Sequence, residues 1–259
     1  MHLELLKIDS LHKTFKKHKV TAVDNASFSI FKGEVLGLVG ESGCGKSTLA
    51  KLILRLIDAD KGSIFYKNKD LLKISNGDMR KARKDLQIIF QDPYASLDPS
   101  MRIGEVIEEV YSIHKNVSWH ERKNKTIELL ETVGLGESYL NRLPSELSGG
   151  ERQRAGIART LATDPEFIIC DEPVSSLDIS IQAQILNLLI ELQKRKNLTY
   201  LFISHDLGII ASVCDRVIVM RSGKFVEEGQ CEAIFINPKH DYTKELLTSS
   251  IGFLDKKPK

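Results

Sequence analysis

Residues 40 to 48 read Gly-Glu-Ser-Gly-Cys-Gly-Lys-Ser-Thr, a spacing suited to gripping a triphosphate. Phosphate oxygens need many donors close together. Backbone N–H groups supply them only where no Cβ blocks the approach, and Gly40, Gly43 and Gly45 keep it open. Lys46 adds a point charge for the β- and γ-phosphates, and the Ser47 hydroxyl can ligate Mg2+. With Glu41, Ser42, Cys44 and Thr48 these residues make up a candidate nucleotide-binding loop. Further along, the apolar run Phe167–Cys170 ends in Asp171-Glu172-Pro173. Two acids at the end of such a run are expensive to bury without a metal or a donor. Asp171 fits a place beside Mg2+ through a water, and Glu172 falls where a water could be polarised; a surface turn is the competing reading.

Other residues carry chemistry less sharply. Gln91 and His205 each follow an apolar run, where a side chain leaves a strand toward a phosphate site. Taken alone, Gln91 reads as a loop hydrogen-bonder and His205 as structural. Ser148, Gly149, Gly150 and Glu151 open a helical pattern, exposing several N–H donors at a second anion site or forming a plain N-cap. Phe15 stands alone in the basic stretch Lys13–Lys17, either as a stacking platform for a purine or as a loop anchor.

These residues need elements to hold them. Val35–Val39 reads as a buried parallel strand and residues 46–57 as a helix pointing its N-terminus at the anion. Strands are expected over 3–11, 26–31, 63–66, 86–90, 167–170, 198–203, 216–220 and 224–228, with Ser222-Gly223 turning between the last two. Residues 67–85 read as a solvated polar stretch. A turn-rich loop at 94–100 is followed by helices over 103–115 and 118–133, the second opened by a capping box of Ser118 and Glu121. This helical block offers no catalytic constellation, so interaction is its natural role. Ser175–Asp178 precedes a helix over 179–196 whose apolar set, Ile181, Ile185, Leu188, Leu189 and Leu192, reads as core. Short helices are expected over 231–250 and a polar tail at 255–259.

Composition narrows the classes. The 259 residues suffice for one large α/β domain, or a core with an inserted subdomain. A net charge of +2 gives no bulk electrostatic case for nucleic acid. No apolar run approaches the roughly 18 residues of a membrane span, and the N-terminus lacks a signal-peptide pattern. Cys44, Cys170, Cys214 and Cys231 are scattered, which disfavours a disulfide framework or zinc site and makes a reducing cytoplasm the default.

In this order, the residues resemble the ATP-binding subunits of ABC transporters over nearly the whole chain. Phe15 matches the adenine-stacking aromatic, Gly40–Thr48 the Walker A motif and Gln91 the Q-loop. Leu147–Gln153 matches the signature motif, which is highly specific to the family. Phe167–Glu172 matches Walker B with its catalytic glutamate, Ser176–Asp178 the D-loop, and His205 the switch histidine. The resemblance implies a phosphate-loop NTPase (RecA-like) α/β core with an antiparallel β subdomain and an inserted α-helical subdomain. It places the core at 1–91 and 160–259 and the helical subdomain at 92–159. It further implies a head-to-tail pair of ATPase subunits, identical or paralogous, each ATP lying between one subunit's Lys46 loop and the other's Ser148 helix start. Glu172 would be the general base; His205 and Gln91 would hold the γ-phosphate, water and Mg2+; Asp178 would couple the two sites. Two integral-membrane permease subunits, gripped by the helical block with Gln91–Tyr94 at its hinge, and an extracytoplasmic solute-binding protein complete the implied assembly. The ATPase would sit peripherally on the cytoplasmic face of the membrane.

A finer resemblance, carried by Gly40–Thr48, Gln91–Pro99 and Asn237–Leu247, is to the oligopeptide/dipeptide/nickel importer group. Many relatives there carry a C-terminal extension with a cysteine cluster. This chain has none, which argues against an iron–sulfur site and tilts the expectation slightly toward nickel or a metal chelate over peptides. A soluble ABC ATPase of DNA repair or translation is the alternative. Such proteins usually insert a long coiled coil or carry two cassettes, and neither is visible here. A catalytically dead regulatory cassette is disfavoured by the intact Lys46, Glu172 and His205.

Overall fold

The computed structural model describes residues 3–15, 17, 19–92, 97–114 and 117–250. Tyr94, the ring expected at the permease hinge, lies outside the described residues, as does the polar tail at 255–259. The chain forms two compact units, one running to Met79 and resuming at Thr199, the other spanning Arg80–Leu198.

The first unit holds two sheets. Strands β1 (Glu4–Phe15), β2 (Val20–Phe31), β4 (Lys61–Tyr66) and β5 (Lys69–Asp70) form an antiparallel sheet in the order β2-β1-β4-β5. The other is built on β3 (Val35–Val39), which pairs in parallel with β8 (Thr199–Ser204) on one side and β9 (Arg216–Arg221) on the other. All five residues of β3 are buried, as a strand between two neighbours requires. A Cβ at Gly37 would lie 3.0 Å from Cys214 Sγ and 3.1 Å from Ile210 Cγ2, so glycine here lets α7 (Leu207–Val213) approach. Strand β10 (Lys224–Gln230) returns antiparallel to β9 through Ser222 and Gly223, both at positive φ (47° and 83°), the geometry of a tight hairpin turn. Helices α1 (Lys46–Ile53), α8 (Cys231–Ile236) and α9 (Asp241–Ser250) complete the unit.

The chain passes into the second unit within α2 (Asn76–Asp85). There β6 (Leu86–Ile89) and β7 (Phe167–Asp171) pair in parallel, with Leu86 opposite Phe167 and Ile89 opposite Cys170. Helices α3 (Ile103–His114), α4 (Trp119–Thr132) and α5 (Gly149–Leu161) make up the helical block, and α6 (Ile179–Lys196) follows β7. The mixed α/β fold with an antiparallel β subdomain and a helical subdomain is thus the expected one.

Several local expectations are corrected. Residues 13–15 are not loop: β1 continues to Phe15, which pairs with Val20, because a partner strand is available. Helix α1 stops at Ile53 although the apolar period runs on. Arg55 turns to φ 49°, and its guanidinium donates to the carbonyls of Leu71 (3.2 Å) and Ile74 (2.8 Å). The stretch 67–85 is not simply solvated, since it contains β5 and α2 and buries Leu71 and Met79. Ser118 caps α4 by accepting from Glu121 N at 3.4 Å, but the Glu121 carboxylate takes Lys125 (2.7 Å), so only half of that box forms. In α6 Ile185, Leu188, Leu189 and Leu192 are buried, whereas Ile181 is half-buried.

Candidate nucleotide site

The phosphate loop joins β3 to α1 in the first unit. Its glycines are required for different reasons. Gly43 stands at φ 80° with nothing within 4 Å of a built Cβ, so the backbone conformation alone selects glycine. At Gly40 a Cβ would fall 2.1 Å from Met220 O, and at Gly45, φ 116°, 2.0 Å from Ala22 O. The loop is therefore wedged between β9 and β2. No side chain caps α1 at Gly45. Lys46 is 4% exposed, and its ammonium donates to Gly40 O (2.6 Å) and Glu41 O (2.8 Å). Those bonds hold a buried charge over the loop. Ser47 is exposed, Thr48 is half-buried, and Glu41 and Ser42 face solvent. Cys44 is buried, which pushes its thiol up and keeps it protonated.

Two contacts outside the motif brace this loop. Glu41 N donates to the Tyr242 hydroxyl (3.2 Å), and Gly223 N donates to Cys44 O (2.8 Å). Phe15 ends β1, 37% exposed, with the Lys13 ammonium 5.8 Å from its ring centroid. Asp60 fixes that strand end by accepting from Thr14 N (2.7 Å) and Lys13 Nζ (3.1 Å). The Thr14 amide, then the Lys13 ammonium, hold the Asp60 carboxyl below its ordinary range. His205 follows β8, exposed. Its backbone is set between Ser204, whose hydroxyl accepts from Asp206 N (2.9 Å), and Asp206, which caps α7 through Gly208 N (2.7 Å) and Ile209 N (3.2 Å).

In the second unit β7 carries Asp171, 8% exposed, and then Glu172 at φ 50°. A left-handed backbone at a non-glycine residue costs about 1–2 kcal/mol. It is held by Ser175, whose amide (3.3 Å) and hydroxyl (3.2 Å) both donate to Glu172 O. Gln91 Nε2 donates to Glu172 Oε2 at 3.3 Å, and Ser176 Oγ donates to Gln91 O at 3.3 Å. The fold thus brings Gln91 to Glu172 and Ser176, from which the sequence separates it widely. Asp178 is the N-cap of α6, accepting from Ser180 Oγ (2.7 Å) and Ile181 N (3.0 Å).

Ser148 caps α5 with a full capping box. Its hydroxyl accepts from Glu151 N (3.3 Å), and Glu151 Oε2 accepts from Ser148 N (2.7 Å). The plain N-cap expected here is thus formed, in its reciprocal form. Sequence reasoning missed the second reason for Gly150: a Cβ there would lie 2.6 Å from Ile181 Cγ2 of α6. It also missed Asp60, Tyr139 and Tyr242, since a lone Asp or Tyr in a polar stretch carries no spacing signal.

A phosphate loop between a parallel strand and a helix, a strand ending in Asp-Glu, and a capped Ser-Gly-Gly helix start define an ATP-binding cassette. The ABC transporter family model matches residues 23–175. The chain is 50% identical over 250 residues to the oligopeptide transport ATP-binding protein OppF of Bacillus subtilis, covering 95% of this chain and 82% of that protein. It is 45% identical over 235 residues to the dipeptide transport ATP-binding protein DppF of Haemophilus influenzae, covering 91% and 72%. Among solved structures, cbiO1 from Clostridium perfringens, part of an ABC transporter complex, superposes with a TM-score of 0.82 at 27% identity, covering 98% of this chain and 99% of that one. A dimeric ATP-binding cassette in a post-hydrolysis state bound to ADP and Pi gives 0.79 at 28% identity, covering 88% and 99%. The chain belongs to the ABC transporter ATP-binding proteins, in the oligopeptide/dipeptide group, and is an ATPase.

Proposed function

We propose that this chain powers peptide import by hydrolysing ATP with Mg2+. The single observation that carries the proposal is the pair Gln91–Glu172: a glutamate on a left-handed backbone at the end of β7, its carboxylate held by an amide. The similar proteins, an oligopeptide and a dipeptide transport ATP-binding protein, favour peptides over a nickel or chelate cargo. Lys46 and the amides of the phosphate loop bind the triphosphate, and Phe15 stacks on the purine. Glu172 accepts a proton from the attacking water, which His205 and Gln91 orient. The oxygen donors offered to Mg2+ are Ser47, Gln91 and Asp171, the last through water, and a hard cation suits that set. Gln91 fits because its Nε2 goes to Glu172, which leaves the amide oxygen for a cation. When bound there, Mg2+ would supply positive charge against the charge developing on the phosphates.

Two ATPase subunits, identical or paralogous, pair head to tail, with Ser148, Gly149 and Gly150 of one serving the ATP of the other and Asp178 coupling the sites. Residues 92–159 act as the helical subdomain that meets two permease subunits, with the core at 1–91 and 160–259; an extracytoplasmic binding protein delivers the solute. Among the described residues no helix is long and apolar enough to cross a membrane. A peripheral place on the cytoplasmic face, docked on the permease, accords with that. Glu172→Gln tests the proposal: a neutral amide cannot accept the proton, so turnover should fall roughly 10²–10⁴-fold while ATP binding survives. Near-parental turnover would overturn it.

A further inference from the structure

The helix start at Ser148 carries a full negative charge. Glu151, at its third position, sits beside the amides that the proposed function assigns to a partner's ATP. A carboxylate there repels a triphosphate unless its charge is drawn off. The fold supplies the means. Tyr139, in a single helical turn at Glu137–Tyr139, donates its hydroxyl to Glu151 Oε1 at 2.5 Å. The Arg142 guanidinium lies 4.2 Å from the Tyr139 ring centroid, adding positive charge from the other side. Glu151 Oε2 is already committed to Ser148 N at 2.7 Å, so both carboxylate oxygens are turned back into the protein. Ser148 Oγ accepts from Glu151 N at 3.3 Å, closing the box from the other end.

We propose that Tyr139 is a positioning residue for the signature helix: by holding Glu151 turned back and dispersing its charge into a hydrogen bond, it makes a negatively charged helix start acceptable to ATP. The proposal rests on the paired-subunit reading above and deepens it. Tyr139 is half-buried and touches no reacting atom; it acts through Glu151. Donors to a carboxylate lower its repulsion of neighbouring anions, and charge-assisted bonds of this kind are the stronger class. The charge is permanent at working pH. The Tyr139 hydroxyl, then the Ser148 amide and hydroxyl, bring the Glu151 carboxyl down to about 2.

Tyr139→Phe keeps the ring and its packing and removes only the donor. The test measures the ATP concentration that half-saturates dimer formation by light scattering, in the hydrolysis-deficient Glu172→Gln background. Loss of one charge-assisted bond should raise that concentration about tenfold. Adding Glu151→Gln removes the charge that Tyr139 offsets, so Tyr139→Phe should then have no further effect. A packing role would persist when both substitutions are combined. If Tyr139→Phe requires no more ATP than its parent, or raises the requirement equally in the Glu151→Gln background, the inference is overturned and the paired reading stands. If the Glu172→Gln parent forms no dimer with itself at any ATP concentration, the pairing of identical subunits falls and the inference falls with it.

Discussion

Gly40→Ala is the sharpest perturbation of the phosphate loop, because its cost can be worked from one distance. The added Cβ would lie 2.1 Å from Met220 O, where ordinary contact begins at 3.4 Å. The carbonyl cannot retreat freely, since β9 is fixed on one side by β3 and on the other by β10, where Met220 pairs with Phe225. Overpacking of a well-filled site costs typically 1–3 kcal/mol. Backbone on both sides of the clash places this one near about 3 kcal/mol. At roughly 2–4 °C per kcal/mol for a chain of this size, the melting temperature should fall by about 6–12 °C. Gly43→Ala is the control: its Cβ meets nothing within 4 Å, so only the left-handed backbone is penalised, at about 1–2 kcal/mol. Scanning fluorimetry with and without ATP measures both. The parent should gain stability from ATP by mass action, about 2.7 kcal/mol at a hundredfold excess over Kd. Gly40→Ala should lose most of that gain. A Gly40→Ala protein that melts with the parent, or no lower than Gly43→Ala, would refute the wedged-loop account.

Phe15→Ala should weaken ATP and GTP alike, by about 1–3 kcal/mol if the ring stacks as aromatic rings do on nucleic-acid bases; titration with both nucleotides decides, and unchanged affinity would leave Phe15 a mere strand end. The capping box of α5 should also leave a mark on acid stability. Glu151 titrates at about 2 when folded against 4.5 ordinarily, so its contribution is whole above pH 4.5 and lost as pH falls toward 2. The melting temperature of Glu151→Gln should lie below that of the parent at pH 7, and the gap should narrow steadily between pH 4.5 and 2; a gap independent of pH would remove the charge from the explanation.

Much of this was legible before any fold was seen, and the exceptions share a cause. The run Val35–Val39 and the helical spacing in 179–196 announce themselves because burial on both faces, or on one stripe, writes a local pattern. The phosphate loop is legible because glycine, lysine and serine occur there at the spacing the chemistry needs. What escaped depends on distant partners. Strand β1 extends to Phe15 because β2 receives it. Helix α1 ends early because carbonyls at Leu71 and Ile74 take Arg55. Gly150 must be small for Ile181, some thirty residues away in the chain, as much as for any anion. The left-handed backbone of Glu172 leaves no trace in its residue type.

The opening of β2 ties Phe15 to the phosphate loop within a few residues. Val20 pairs with Phe15, the Ala22 carbonyl presses on Gly45, and Asp24 N donates to Gly223 O at 2.8 Å while Gly223 N reaches Cys44 O. This stretch is therefore a ruler between the ring and the phosphate loop. A ruler tolerates repainting but not a missing mark. Side chains at 20–24 can be exchanged at modest cost, but one residue inserted or deleted would turn every following side chain to the opposite face and pull Ala22 away from Gly45. The freedom of this segment lies in its composition and not in its length.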